Sequence, residues 1–256
     1  MMKKWILMLL AVLLLTVSAA NAELISITLS DDQSECVSEN VVCEGNTVKI
    51  NAPGEYLITG TLSNGQIRVD CRDDGKVVLN LQNVKIHNET GAAILIGNVS
   101  SRARISLMAD TENELSAGVN LVYEDDDEPN GVIFSRSDLT IDGSGSLKVT
   151  AGAMDAIASK DDLKIEGGRI IVTAPRHGIR GKDCVEISGG EITISAGKDG
   201  IRSNNSKDAE KGYISITGGT IAITAGDDPL DSVPGLIIRE AEITSTVTGS
   251  AGNDES

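Results

Sequence analysis

Four residues recur at one place in a repeating segment and could do chemistry together. Asp155, His177, Asp199 and Asp228 are each followed by a small residue or a proline, namely Ala156, Gly178, Gly200 and Pro229. One position earlier stand Met154, Arg176, Lys198 and Asp227, and three positions later Ala158, Arg180, Arg202 and Asp231. If the repeats stack, these become columns with neighbours one strand spacing apart, ~4.8 Å. Carboxylates so close repel unless a cation lies between them. Calcium suits such a corner, because it takes about six to eight oxygens in loose geometry. The candidate metal ligands are therefore Asp155, Asp199, Asp227, Asp228 and Asp231, the last four forming the densest group with Arg202 nearby. The same aspartates admit another arrangement, in which each satisfies its own turn and pairs with a neighbouring arginine or lysine. No EF-hand loop, C-x-x-C or Cys/His zinc spacing occurs.

Arg180, Lys182, Arg202 and His177 are the candidate ligand-binding residues on this side. A guanidinium offers a planar fork to a carboxylate or to sugar hydroxyls. His177 is one of two histidines, and nothing in sequence supplies the partner a catalytic histidine needs to set its proton. No catalytic residue is assigned. Lys160/Lys182 and Asp161/Asp183 extend the columns further along the repeat. The acidic run Glu124-Asp125-Asp126-Asp127-Glu128 reads as a solvated loop, or as one that folds back and offers ligands to a metal.

The elements that must position these residues are strands. Leu163-Lys-Ile-Glu-Gly-Gly-Arg-Ile-Ile-Val-Thr-Ala aligns with the segments beginning at Val185 and Ile214. Leu139-Thr-Ile-Asp-Gly-Ser-Gly and Leu236-Ile-Ile-Arg are weaker copies on either side. Within each copy apolar residues alternate with polar ones, which is strand periodicity. The pairs Gly167-Gly168, Gly189-Gly190 and Gly218-Gly219 separate one strand from the next. A unit this short has no core of its own and buries its apolar face only by stacking on its copies. The sequence thus predicts an all-β, right-handed parallel β-helix of about eight rungs, roughly 35–40 Å long at that spacing. Its interior columns are Ile165/Ile187/Ile216/Ile238, Ile170/Ile192/Ile221/Ile243 and Ile157/Ile179/Ile201/Leu230. A β-sandwich of hairpins does not require in-phase glycines and ranks below it.

Residues 1–22 read as a signal peptide: Lys3 and Lys4, an apolar run from Trp5 to Val17, then Ala20-Asn21-Ala22. Residues 23–48 are read as an irregular N-terminal cap, 49–248 as the β-helix and 249–256 as a flexible tail. With 38 acidic against 22 basic residues and a net charge of -16, a nucleic-acid partner is excluded. After signal cleavage no segment is apolar enough to span a membrane, and the expected product is a secreted or cell-surface monomer. Four cysteines in an exported chain allow three disulfide connectivities, with Cys36 and Cys43 near enough for a local staple.

A family likeness adds to this. The strings Asp127-Glu-Pro-Asn, Phe134-Ser, Asp138-Leu-Thr-Ile, Ile157-Ala-Ser-Lys-Asp-Asp-Leu-Lys-Ile, Gly178-Ile-Arg-Gly-Lys-Asp, Asp208-Ala-Glu-Lys-Gly-Tyr-Ile-Ser-Ile and Ala225-Gly-Asp-Asp resemble the secreted carbohydrate-binding domain-containing β-helix family. The likeness runs from about Val48 to Ile243. It implies a pectate-lyase-like shape, bound calcium, and binding of cellulose or acidic, pectin-like sugars. Departures at the corners put some calcium sites in doubt, since Arg176-His177 and Lys198-Asp199 stand where the family tends to carry Asp-Asp. The expectation is calcium-dependent binding of an acidic glycan or cellulose through polar and charged groups, because aromatics are only 2% of the chain. The competing functions are a pectate-lyase-like lyase, with Arg180, Lys182 or Arg202 as base, and an adhesin-like rod without a small ligand.

Overall fold

A computed structural model describes residues 24–124 and 128–249. The expected signal peptide, the middle of the acidic run and the tail beyond Gly249 lie outside the described residues. Every regular element among the described residues is a strand. They form one nine-stranded sheet and one sixteen-stranded sheet. The second has two limbs joined by the long strand Val77–Asn88, which pairs with Ala103–Leu107 through its first half and Glu112–Ala117 through its second. The chain visits the two limbs and then the nine-stranded sheet in turn, and stacks parallel strands at each visit: this is the parallel β-helix.

The predicted columns are observed in register. Ile165 pairs with Ile187, Ile187 with Ile216 and Ile216 with Ile238. Ile170, Ile192, Ile221 and Ile243 are likewise successive partners, as are Ile157, Ile179, Ile201 and Leu230. All but the last member of each column are at most 1% exposed. Each buried isoleucine contributes about 1.5–3 kcal/mol of burial free energy, so the columns are the main source of cohesion. The Gly-Gly turns fit the stacking closely. Gly190 has φ +100°, and a Cβ there would lie 2.9 Å from the Gly168 carbonyl oxygen. A side chain would therefore meet both backbone strain and a collision.

Of the nine strands in the smaller sheet, Val41–Glu44 alone runs antiparallel, leaving eight in the parallel stack. The N-terminal end is closed by that pairing and by Glu35–Cys36, antiparallel to Leu24–Leu29. Leu24–Leu29 itself joins the solenoid in parallel with Gly54–Leu62. Such closure protects the first edge from pairing with another chain. The Cys36 and Cys43 thiols face each other with sulfurs 3.1 Å apart, while Cys71 and Cys184 are buried elsewhere. Of the three connectivities, this geometry favours the local one.

Gly131–Ser135 and Asp155–Ser159 are buried along their whole length. One face lines the interior. On the other, Ala92, Leu95, Phe134 and Ala158 form a second apolar cluster. The connection after Ala117 lies nearby and is fastened at both ends. Val122 N–H donates to the Thr90 carbonyl, Glu124 pairs with Arg68 at 2.6 Å, and Glu128 is held by Arg136 at 3.1 Å and by Lys160. These flanks of the acidic run are tied down by cations rather than free in solvent.

Candidate functional site

The turn that leads into the nine-stranded sheet brings most of the predicted corner residues together. Asp155 starts Asp155–Ser159, Arg180 lies in Ile179–Gly181 and Arg202 in Ile201–Ser203. Ala158, Arg180, Arg202 and Asp231 are successive register partners, so they form one outward row along the rod. The aspartates at the turn point towards this row.

Asp155 has no exposed side-chain surface. Its Oδ2 is 2.8 Å from Arg180 Nε, its Oδ1 is 3.6 Å from Arg176 Nε, and the same Oδ1 accepts the His177 backbone N–H at 3.2 Å. Arg180 also donates from Nη2 to Asn130 Oδ1 at 2.8 Å. One rung on, Asp199 Oδ2 receives Arg202 Nη1 at 2.7 Å and lies 3.0 Å from His177 Nδ1. Its Oδ1 accepts the Asp228 N–H at 3.2 Å. Arg202 reaches Asp231 as well, at 3.2 Å. Burial pulls the His177 imidazole below its ordinary range, against the opposing pull of Asp155 and Asp199.

The expected calcium ligands are thus divided. Asp155 and Asp199 are engaged by guanidinium and imidazole groups, and Asp231 is shared with Arg202. Asp227 and Asp228 are exposed, and Asp228 meets the column through its backbone N–H. A hard cation needs several free oxygens at one point. Asp155 and Asp199 do not offer them, so as calcium ligands they do not fit. The predicted binding residues are also redistributed. His177 is buried inside the column, Arg180 and Arg202 present only part of their forks, and Lys182 is exposed with no ion pair among the described residues.

At the opposite end of the same strands the structure assembles a group that sequence reading only half identified. Asp138, Asp161 and Asp162 each place a carboxylate oxygen within 4.8 Å of the others. Leu139 pairs with Leu163, which brings Asp138 level with Asp162. Asp161 is pushed up to about 6 by burial, by its hydrogen bond to Asp183, and by repulsion from Asp138, Asp183 and Asp162. Burial also works to raise Asp183, but the Lys211 ammonium at 2.5 Å and the Asn205 amide at 2.6 Å outweigh it and hold this carboxyl low. Asn205 and Lys211 come from the segment inserted between two repeats. Asp138 also meets Arg102 at 3.5 Å, but with Asp161 and Asp162 it forms the one described group of three carboxylates close enough to share a hard cation.

A pH effect follows for the metal-free protein. Asp161 titrates higher folded than unfolded, so the folded chain binds the extra proton between the ordinary aspartate value of 3.8 and about 6. Its contribution is favourable below that window and is lost as pH rises through it. Asp161→Asn is expected to remove this loss and to raise stability at pH 7.5, in chelator, by roughly 1 kcal/mol once solvent screening of this partly exposed group is allowed for. Urea melts of both proteins at pH 4 and pH 7.5 check this: equal wild-type and variant differences at the two pH values would contradict it.

Beside this group lies a strip of cations. Arg136, Lys160 and Lys182 each follow a strand of the nine-stranded sheet, at equivalent places on successive rungs. They sit next to the outward Arg180 and Arg202. Aromatic surface is scarce: Tyr56 and Phe134 are fully buried, and the Tyr213 hydroxyl donates to Glu186 at 2.7 Å. Tyr123 is 41% exposed, the one large aromatic surface among the described residues. No described helix is long and apolar enough to cross a membrane.

Comparison with known proteins places this geometry. Residues 44–256 match the family described as carbohydrate-binding domain-containing protein. A carbohydrate-binding domain-containing protein of Acetivibrio thermocellus is 45% identical over 204 residues, covering 79% of this chain and 71% of that protein. A solved structure, a gadolinium derivative described as a polysaccharide lyase-like protein from C. thermocellum, superposes with a TM-score of 0.84 at 38% identity. It covers 89% of this chain and 92% of its own.

Proposed function

Because the chain belongs to the carbohydrate-binding domain-containing protein family, we propose that it is a secreted protein that binds acidic polysaccharides along its rod axis, with calcium assisting. The observation that carries this reading is the strip Arg136, Lys160, Lys182, Arg180 and Arg202. Five cations follow the stacking direction in a chain of net charge -16, Arg136 and Lys160 sharing Glu128 between them. Lysines and arginines spaced by the rung, ~4.8 Å, suit a polymer that repeats a carboxylate. The guanidinium forks of Arg180 and Arg202, 18% and 31% exposed, keep some donors for carboxylates and hydroxyls after pairing with their aspartates. Aromatic stacking has little surface to use here, so recognition rests on charge and hydrogen bonding. Asp138, Asp161 and Asp162 flank the strip, separated from Arg136 and Lys160 by no more than one residue in sequence. Calcium held there would supply a bridge to the sugar carboxylate.

Lys182 gives the cleanest test, because it is exposed and no described carboxylate depends on it. Lys182→Glu is expected to weaken binding to polygalacturonate by about tenfold, or ~1.4 kcal/mol. Thermal stability and retention on cellulose should stay unchanged. Isothermal titration with oligogalacturonates at two salt concentrations measures it, and an unchanged affinity would remove the cation strip from the site. Titration in chelator examines calcium separately: full affinity there would leave the strip and discard the bridge. The name of the polysaccharide lyase-like neighbour motivates one control. Unsaturated-product absorbance on incubation with polygalacturonate and calcium would convert the binding reading into a lyase.

A further inference from the structure

The corner from Asp155 to Asp231 has the carboxylates of a calcium ladder and the cations of an ion-pair column. We propose that this column is metal-free, and that Arg176, Arg180 and Arg202 act as built-in replacements for the divalent cation that stacked aspartates otherwise require, with the His177 imidazole filling the space beside them. The residues alternate in charge along the stack. Arg180 and Arg176 converge on Asp155 from the following rung, at 2.8 and 3.6 Å. His177 and Arg202 converge on Asp199, at 3.0 and 2.7 Å. Arg202 then spans to Asp231 at 3.2 Å. Asp155, Asp199 and Asp231 are thereby each met by at least one guanidinium group.

Burial makes the exclusion of a metal strong. Asp155 has 0% exposed side-chain surface and Asp199 5%. A divalent ion entering there would face two guanidinium groups at Asp155 and one at Asp199, in a medium that screens repulsion weakly. The contacts of Arg176 and Arg180 to Asp155 and of His177 Nδ1 to Asp199 are not aligned as hydrogen bonds, so charge holds the Asp155 end, while Asp199 is also held by the Arg202 hydrogen bond at 2.7 Å. An arginine donates through five N–H groups and accepts nothing, so it supplies the positive charge of a metal without needing further ligands. The replacement also changes what the corner responds to. It is insensitive to chelators and depends on the arginines.

This inference does not rest on glycan binding. The test is thermal melting of the calcium-stripped full chain, with and without calcium in excess, in the Asp161→Asn background that disables the separate carboxylate group. A filled site in a chain of this size would raise the midpoint by about 5–10 °C. The expected shift is below ~1 °C, within the scatter of such midpoints. A shift of several degrees that disappears on adding Asp231→Asn, or Asp199→Asn, would overturn the proposal. Asp231 is half-buried at the surface, so its variant folds even if the Asp199 variant does not. A shift that survives both substitutions places the ion elsewhere and leaves the corner metal-free.

Discussion

Asp155→Asn is expected to lower stability by about 3–5 kcal/mol, one of the two largest effects in the molecule. The asparagine keeps the shape and can still accept the His177 N–H, so the change isolates the charge. Arg176 and Arg180 would then face each other across a buried site with no counter-ion. Stranding one partner costs more than the pair itself contributes, because Arg180, 18% exposed, stays largely desolvated even where Arg176 can turn to water. The double variant Asp155→Asn/Arg180→Gln should therefore recover part of the loss, which an additive pair would not do. Urea melts of the single and double variants give the coupling directly. If Asp155→Asn costs less than about 1 kcal/mol, as a surface pair would, the column is not under the electrostatic load described.

The interior columns were legible because strand alternation and in-phase glycines repeat in sequence. Ile165, Ile187 and Ile216 fall into register by counting alone. The corner was legible in its members but not in its pairing. Asp155 takes its cations from residues 176 and 180, a rung away, and two arrangements of the same side chains satisfied the sequence equally. Only the stacking offset chooses between them. Asp138 was missed because its repeat, Leu139-Thr-Ile-Asp-Gly-Ser-Gly, is degenerate and its column is hard to align. The signal was there, since an aspartate precedes the first apolar residue at Leu139 as it does at Leu163. The outer apolar cluster was hidden for a different reason. Gly131-Val-Ile-Phe-Ser is a continuous apolar run rather than an alternating one, and such a run marks a strand covered on both faces. Phe134 is consumed by that packing.

Position along the stack should matter as much as residue type. Ile187→Ala is expected to cost about 2–5 kcal/mol, the range for deleting most of a buried isoleucine. Ile187 has no exposed surface and is sandwiched between Ile165 and Ile216, both equally buried. Rungs above and below are fixed by their own hydrogen-bonded ladders, so neither closes the cavity. Ile238→Ala removes the same atoms from the same column, one rung beyond Ile216. Ile238 is 46% exposed, in the last strand of its limb among the described residues. Its truncation should cost less than about 1 kcal/mol, because little surface leaves water there in the first place. The two variants carry identical chemistry, so the difference between their melts measures stacking itself. In a solenoid each rung contacts only its neighbours, so a central gap also uncouples the rungs on either side. Ile187→Ala should therefore broaden hydrogen exchange through Leu163–Ile165 and Tyr213–Ile216 while leaving the N-terminal strands protected. Equal destabilisation by both substitutions would mean that cohesion does not pass from rung to rung.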